Sequence, residues 1–433
     1  MDLARIAVVG GGLAGLAAAD ELTRAGCEVE LFERSRLLGG RATSFEVGGR
    51  EVDNGQHVFL ACCEEFIGFV ERAQMGHALR VQERFDVLVL DRDARSSRLR
   101  AASLPAPWHL LLSFAGYRHL GWGAKLGIAR ALAAAAREPR AQTGTFAAWL
   151  ARHGQDRAAI RCFWEPFFVP ALNARLEEMA ADEALFVLST AFLGDPLAAR
   201  FGFSTVPLAQ IAVAAARGLA AVHLWTPVTG LEFDAVGGAV RGVVTPQGMR
   251  PFDGVVLALT PPQLERMAGD AERLGLPALR EFRARPIIDV HLWHDRGHAG
   301  FDFAALIDSP VQWIFEKGAG YLCCSISAAT EQIRSSTVEL VERAWCEVLR
   351  AVPALRGAAL QSSAVTRNLE ATFAAPPGLR APGAATTLPN LAIAGSWTAT
   401  GWPDTMEAAV RSGRAAAGQL LKSEREGERC RVP

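Results

Sequence analysis

No C-x-x-C pair occurs in this chain of 433 residues: its eight cysteines are scattered, and the only close ones are adjacent, Cys62-Cys63 and Cys323-Cys324. Zinc ribbons and thioredoxin-like redox sites need that two-residue spacing, so neither is expected, and scattered thiols suit a reducing compartment. An excess of one charge is also missing. The 45 Lys and Arg stand against 46 Asp and Glu, a formal net charge of -1, whereas a dedicated nucleic-acid binder carries a basic surplus. Nor is there an uninterrupted apolar run of about 18 residues, as a spanning helix requires. The opening MDLARIAVVGGG lacks the order of an export signal, since its apolar residues lead into a glycine turn. Together these absences point to a cytoplasmic protein, with peripheral contact at the inner face of the cytoplasmic membrane left open. Half of the residues are hydrophobic and 21% are charged, which excludes bulk disorder. At ~150 residues per domain, the length allows two or three domains.

What is present begins at once. Arg5 to Val9 is a short β-branched run that stops at Gly10-Gly11-Gly12. Leu13-Ala14-Gly15 then opens an Ala/Leu-rich stretch to Arg24, closed by Gly26, and the run Val29 to Phe32 ends in Glu33. This is strand, glycine turn, helix, strand, acid. Gly10, Gly12 and Gly15 fill G-x-G-x-x-G in the context where that pattern means dinucleotide binding. The first glycine permits a tight turn, the second admits a pyrophosphate to the backbone N–H groups, and the third brings helix against strand. Leu13 and Ala14 start the helix whose positive dipole end faces the phosphates. Glu33 lies 18 residues past Gly15, with Arg34 beside it, and is placed to accept hydrogen bonds from the adenosine ribose. That acid suits NAD and FAD equally.

Gly39-Gly40-Arg41-Ala42-Thr43 follows, then Asp53-Asn54-Gly55-Gln56-His57. Paired glycines let the chain fold back over a dinucleotide. Arg41 can bring a fork of donors to the pyrophosphate, or is simply solvated. His57 is either a satisfied loop histidine or a site residue. Val222 to Leu259 alternates short strand-like pieces with turns, as a β-meander does. Near the C-terminus a strand from Asn390 ends at Gly395-Ser396-Trp397, then come Gly401-Trp402-Pro403 and a helix from about Asp404 carrying Thr405, Met406 and Glu407. Trp397 and Trp402 are core aromatics or walls of a cofactor site.

These two ends resemble the flavin-containing amine oxidase and phytoene desaturase superfamily. The resemblance implies tight, non-covalent FAD and an α/β fold: a Rossmann-like, glutathione-reductase-type FAD-binding domain with an inserted α+β substrate domain. The FAD-binding parts would be residues 1–70, 200–265 and 380–425, the substrate domain 71–199 and 266–379, and 426–433 a disordered tail. Cofactor contacts are implied for Gly10, Gly12, Leu13, Ala14, Gly15, Glu33, Arg34, Gly40, Arg41, Gly55, Gln56 and His57. Val228, taken as lying in the first strand of the meander, would meet adenine. Gly395, Ser396, Thr405 and Met406 would adjoin the flavin, with the C-terminal helix pointing its N-terminus at the ring. Members usually carry Asp where this chain has Ser396, and Ala and Gly where it has Asp404 and Ala408.

The insertions are greasy. Leu104 to Leu112, an Ala-rich helix expected over Lys125 to Arg137, and Phe163-Trp164-Glu165-Pro166-Phe167-Phe168-Val169-Pro170-Ala171-Leu172-Asn173 carry few polar groups. A lining of that kind suits a long hydrocarbon. With GQHVFLACC, LPAPWHLL, FWEPFFVPALN and GWPDTMEAAVRSG, the chain from residue 4 to about 421 resembles the hydroxysqualene dehydroxylases, also called squalene-associated FAD-dependent desaturases. That resemblance implies reduction of hydroxysqualene to squalene in hopanoid biosynthesis, the allylic hydroxyl leaving as water. The alternatives are a carotenoid-type FAD-dependent polyene desaturase and a non-catalytic prenyl-lipid carrier.

An allylic hydroxyl leaves only when protonated, so an acid is needed. The candidates are His57, Glu165, Asp404 and Glu407. Asp404 can cap the last helix, and Glu407 in its first turn is held as an anion. Glu165, ringed by aromatics, is either kept protonated by desolvation or paired with Arg161 or Arg175. Trp108, Leu110 to Leu112, Phe114 and Trp122, beside Arg118, Lys125, Arg130 and Arg137, fit a segment lying on lipid or one buried in the protein. His291, His294 and His298 suggest a metal, but on a strand residues 291 and 294 point to opposite faces, so no metal is expected.

Overall fold

The computed structural model describes residues 4–429 apart from 107, 139–142, 237, 269–273, 277–278 and 375–378, and over 424–429 the backbone only. Pro107 of the LPAPWHLL run and positions 430–433 of the expected tail therefore lie outside the described residues. Short apolar runs without alternation make strands buried on both faces of a parallel sheet. Arg5–Val9 is the centre of such a sheet, between Glu28–Phe32 and Gly254–Leu257, with Ala221–His223 and Leu391–Ile393 at the edges. Helix Leu13–Arg24 joins the first two strands and buries its alanine face, Ala14, Ala17, Ala18 and Ala19. Helix Met406–Arg429 crosses it at Gly413, where an added Cβ would stand 2.2 Å from the Ala14 carbonyl oxygen. Only glycine permits that crossing. The same helix runs on to Arg429, so 426–429 are helical and not tail.

The meander takes the expected form: Gly230–Phe233, Val240–Thr245 and Gly248–Pro251 make an antiparallel sheet, and the chain re-enters the parallel one at Gly254. Val228 differs from expectation. The preceding strand stops at His223, because Trp225 adopts a φ of 54° and its N–H, like that of Thr226, turns to the carbonyls of Ser35 and Glu33. Val228 sits in the loop that follows.

Both insertions build one seven-stranded sheet. In space its order is Leu360–Ala374, Arg283–His294, Tyr321–Ile326, Trp313–Gly318, Phe303–Leu306, Asp86–Leu90 and Ser96–Arg100. Alternation along Arg283–His294 divides the faces. Ile288, Val290 and Leu292 pack beneath helix Thr337–Ala351. Asp289, His291 and Trp293 lie on the other face, which meets the Gly55–His57 turn and the helices of the first insertion. Trp149, Trp164 and Phe168 form the centre of that helical core. The expectation that the 163–173 segment mainly lines a substrate site is thus corrected in part: Trp164 and Phe168 are fully buried structural residues, while Phe163 and Phe167 remain half-buried. The Ala-rich helix spans Trp122–Ala135, starting at Gly121 and ending before Arg137.

Candidate functional site

Two of the three N-terminal glycines are demanded by the fold. Gly10 has a φ of 107°, and a Cβ there would lie 2.3 Å from the Ala258 carbonyl; at Gly15 it would lie 1.9 Å from that of Gly10. Gly12 is different. Its φ of -77° and ψ of 175° suit any residue, and an added Cβ would approach only Gly40 Cα, at 3.9 Å. Neither backbone nor packing asks for glycine at 12, whereas a group lying against the helix start does. The second glycine pair closes on the same spot. Gly39 donates its N–H to the Gly11 carbonyl at 2.8 Å, and Gly40 opposes Gly12 directly.

Glu33 fastens the turn as well as facing it, accepting from the N–H groups of Gly11 and Ser35 at 2.8 Å each. Arg34 beside it is exposed. Arg41 is not solvated: its guanidinium donates to the Ala371 carbonyl at 2.8 Å, to Ser396 Oγ, and to both carboxylate oxygens of Asp404 at 3.2 and 3.3 Å. Ser396, buried at the end of the parallel sheet, is thereby tied to the second glycine loop. The Asp404 carboxylate also accepts from Phe373 N–H at 2.7 Å. It is therefore no helix cap; Thr405 is, its hydroxyl accepting from Ala408 N–H at 3.3 Å, with Met406 opening the helix. Gly395 is glycine because a Cβ would stand 2.3 Å from the Trp397 indole nitrogen, and that indole, donating to the Leu259 carbonyl, belongs to the core. Glu407 is completely buried, accepting from Phe66 N–H at 2.8 Å and Arg411 at 2.7 Å. It caps helix Glu64–Arg72 and is structural.

The Gly55–His57 turn meets the seven-stranded sheet. His57 Nδ1 lies 3.0 Å from the Gly55 carbonyl oxygen. Desolvation lowers the imidazole pKa, with Arg41 and Lys317 working the same way against Gly55 and Asp53. The ring is neutral near pH 7, Nδ1–H donating and Nε2 left as acceptor. Behind it stands a residue that sequence reasoning passed over, Asp289. This carboxyl is almost wholly buried, and Gln56 N–H and Cys323 Sγ approach its Oδ1 at 3.4 and 3.7 Å. Burial pushes its pKa up to about 6, against the lowering pull of Ser325, Gln56, Cys323 and Lys317. A Cβ added to Gly55 would stand 3.0 Å from Asp289 Oδ2 and 3.8 Å from His57 Cε1, so both side chains pack against that glycine. Lys317 pairs with Asp53 at 3.2 Å, and His291 Nδ1 meets the Tyr321 hydroxyl at 2.9 Å. The signal was in the alternation 289, 291, 293. It showed one polar face but not what lay opposite.

Glu165 is half-buried and its pKa is raised, first by desolvation and then by Glu177 and Asp308. The anticipated pairing does not form, because Arg161 binds Asp308 and Arg175 binds Glu331. Among the described residues, no hydrogen bond or ion pair joins Glu165 to the glycine loops. His291 and His294 do fall on opposite faces, the latter stacked on Trp345. In the outer segment Trp108, Leu111, Leu112 and Trp122 are exposed, with Arg118, Arg130 and Arg137. Lys125 is not an outward cation: it is buried, its ammonium donating to the Ala115 carbonyl. Leu110 and Phe114 are half-buried, Phe114 turning inward onto Phe163. No helix among the described residues is long and apolar enough to cross a membrane.

The paired glycine loops and the unhindered Gly12 at the helix start fit a bound dinucleotide. Comparison with known proteins agrees. The family model for flavin containing amine oxidoreductase matches residues 13–421. A hydroxysqualene dehydroxylase of Rhodopseudomonas palustris is 30% identical over 96% of this chain and 98% of its own length. A probable zeta-carotene desaturase of Synechococcus elongatus is 24% identical over 97% of this chain and 99% of its own. In three dimensions the fold is that of a putrescine oxidase, with a TM-score of 0.73 at 17% identity, covering 97% of this chain and 99% of that one. The chain belongs to the flavin-containing amine oxidoreductase family and is an FAD-dependent oxidoreductase.

Proposed function

We propose that the protein reduces hydroxysqualene to squalene, replacing an allylic hydroxyl by hydrogen. The observation that carries this reading is the end-to-end likeness to the hydroxysqualene dehydroxylase of Rhodopseudomonas palustris. Gly10, Gly12, Leu13, Ala14, Gly15, Glu33, Arg34, Gly40 and Arg41 would hold the FAD dinucleotide, with Val228 at the adenine end. Gly55, Gln56, His57, Gly395, Ser396, Thr405 and Met406 would surround the ring. Reduced FAD, when bound, supplies a hydride.

The chain's own part is to keep the reacting end dry and to hold the substrate. Trp313, Phe315 and Phe303 stack along the sheet face next to Asp289, with half-buried Phe201 and Phe167 against them. An apolar aromatic wall suits a hydrocarbon and offers ring faces to a carbon that grows electron-poor as the hydroxyl departs. The exposed Trp108, Leu111, Leu112 and Trp122 supply a contact with the lipid in which so insoluble a substrate resides. Incubating purified holoenzyme and a chemical reductant with hydroxysqualene tests the reading: squalene is the expected product, and unchanged alcohol refutes it. The zeta-carotene desaturase relative favours a second reading, removal of hydride from a polyene, which the same assay with a carotene and an oxidant separates.

A further inference from the structure

We propose that Asp289, held between the Gly55–His57 turn and the aromatic face of the seven-stranded sheet, is the acid that protonates the departing hydroxyl. This rests on the dehydroxylation reading above. The placement is geometric. Asp289 is on strand Arg283–His294, whose alternation sends Ile288 and Val290 beneath a helix and Asp289 to the cofactor side. Register puts Ser325 on one side of it and Thr366 on the other, and Trp313 beyond Ser325. One oxygen is approached by Gln56 N–H and Cys323, while the other lies against Gly55, close enough that an added Cβ there would stand 3.0 Å from it. Among the described residues no cation lies within salt-bridge reach of this enclosed carboxyl, so burial raises its pKa and it still carries a proton in part of the molecules near neutral pH. Lys317, the nearest cation, is taken by Asp53.

The other titratable groups around it do not compete for the task. His57 and His291 are neutral, and burial raises the pKa of the Tyr321 phenol and of the Cys323 and Cys324 thiols. Arg41 is engaged by Ser396 and Asp404, and Arg50 lies over the Trp293 ring. Thr366, on the neighbouring strand, does not titrate. Glu165 has a raised pKa as well, but its charged neighbours are Glu177, Asp308, Arg161 and Arg175, none of them on the cofactor loops.

The step balances. The carboxyl O–H bond breaks and its proton passes to the hydroxyl oxygen; the C–O bond breaks, its electron pair leaving with water. The allylic carbon receives a hydride equivalent from the two-electron reductant, reduced flavin, and the carboxylate regains a proton from the medium. Alcohol, proton and hydride thus become hydrocarbon and water.

Two measurements on the holoenzyme test this. Infrared difference titration should show the carbonyl stretch of a protonated carboxyl that vanishes near pH 6 and is absent from Asp289→Asn. Asp289→Asn should keep its FAD and lose turnover of hydroxysqualene by about 100-fold or more, the usual worth of a general acid. KM should change little, Asp289→Glu should recover part of the rate, and Glu165→Gln should turn over like wild type. Should Asp289→Asn not fold, the wild-type band and pH–rate profile still decide. A carboxyl already ionised well below pH 6, or full turnover by Asp289→Asn, overturns the assignment. Failure of wild type itself to make squalene would instead refute the underlying reading.

Discussion

A glycine that neither its backbone nor its neighbours need says more about a ligand than one forced by a turn. Gly12 is of that kind, so Gly12→Val separates folding from cofactor binding: a Cβ there meets only Gly40 Cα at 3.9 Å. The variant should fold with wild-type circular dichroism and yet purify without flavin absorbance; retained flavin would remove Gly12 from the cradle. Burial of Asp289 instead costs stability once the carboxyl ionises. Its pKa is raised from 3.8 to about 6, so its folded-state contribution is fully present below pH 3.8 and lost as pH rises through 6. A shift of about two units corresponds to about 3 kcal/mol. Asp289→Asn should therefore unfold at a higher temperature than wild type near pH 8 and at about the same one near pH 4. An unchanged midpoint at the higher pH would contradict the burial of a charge. The elements of the proposed cofactor cradle were legible in sequence because their reasons are local: a tight turn, a helix start, an acid after a strand. Asp289 was not, since its meaning comes from contact with Gln56, 233 positions away. The helix cap fell to Thr405 and not to Asp404 for a similar reason, as the carboxylate is drawn off by Arg41 and Phe373 from elsewhere in the chain.

Among elements, the strand–turn–helix–strand unit and the returning meander could be read off because each is a continuous stretch with its own period. The seven-stranded sheet could not. Its strand Asp86–Leu90 runs parallel to Phe303–Leu306 from the other insertion, a pairing that nothing local to either segment announces. Aromatic composition was likewise ambiguous at this scale: Trp164 and Phe168 went to the core, as did Tyr117, while Trp108, Leu111, Leu112, Trp122 and Leu126 stayed outside. There Trp108 is 58%, Leu112 70% and Trp122 68% exposed. Changing these three to Ser should abolish flotation with anionic liposomes, since each insertion is worth about 1.5 kcal/mol or more. FAD content and turnover of detergent-dispersed substrate should be unaffected. Flotation equal to wild type would show that this surface does not meet lipid.

For the whole molecule, two sheets divide the labour. The parallel sheet and its two crossing helices present the glycine loops; the larger sheet brings an aromatic wall and one buried acid to the same place, where Gly55–His57 meets Asp289. A dinucleotide cradle, an apolar wall and a proton source are the three parts that the proposed reduction of a hydrocarbon alcohol requires. A single-turnover experiment tests this most directly: the flavin is reduced chemically without oxygen, excess reductant is removed, and hydroxysqualene is added. The account predicts reoxidation of the flavin with one squalene and one water formed per flavin, and deuterium at the former carbinol carbon of the squalene when the reduced flavin and the turnover are held in deuterium oxide. Flavin that stays reduced in the presence of hydroxysqualene, or reoxidises without squalene appearing, would contradict it.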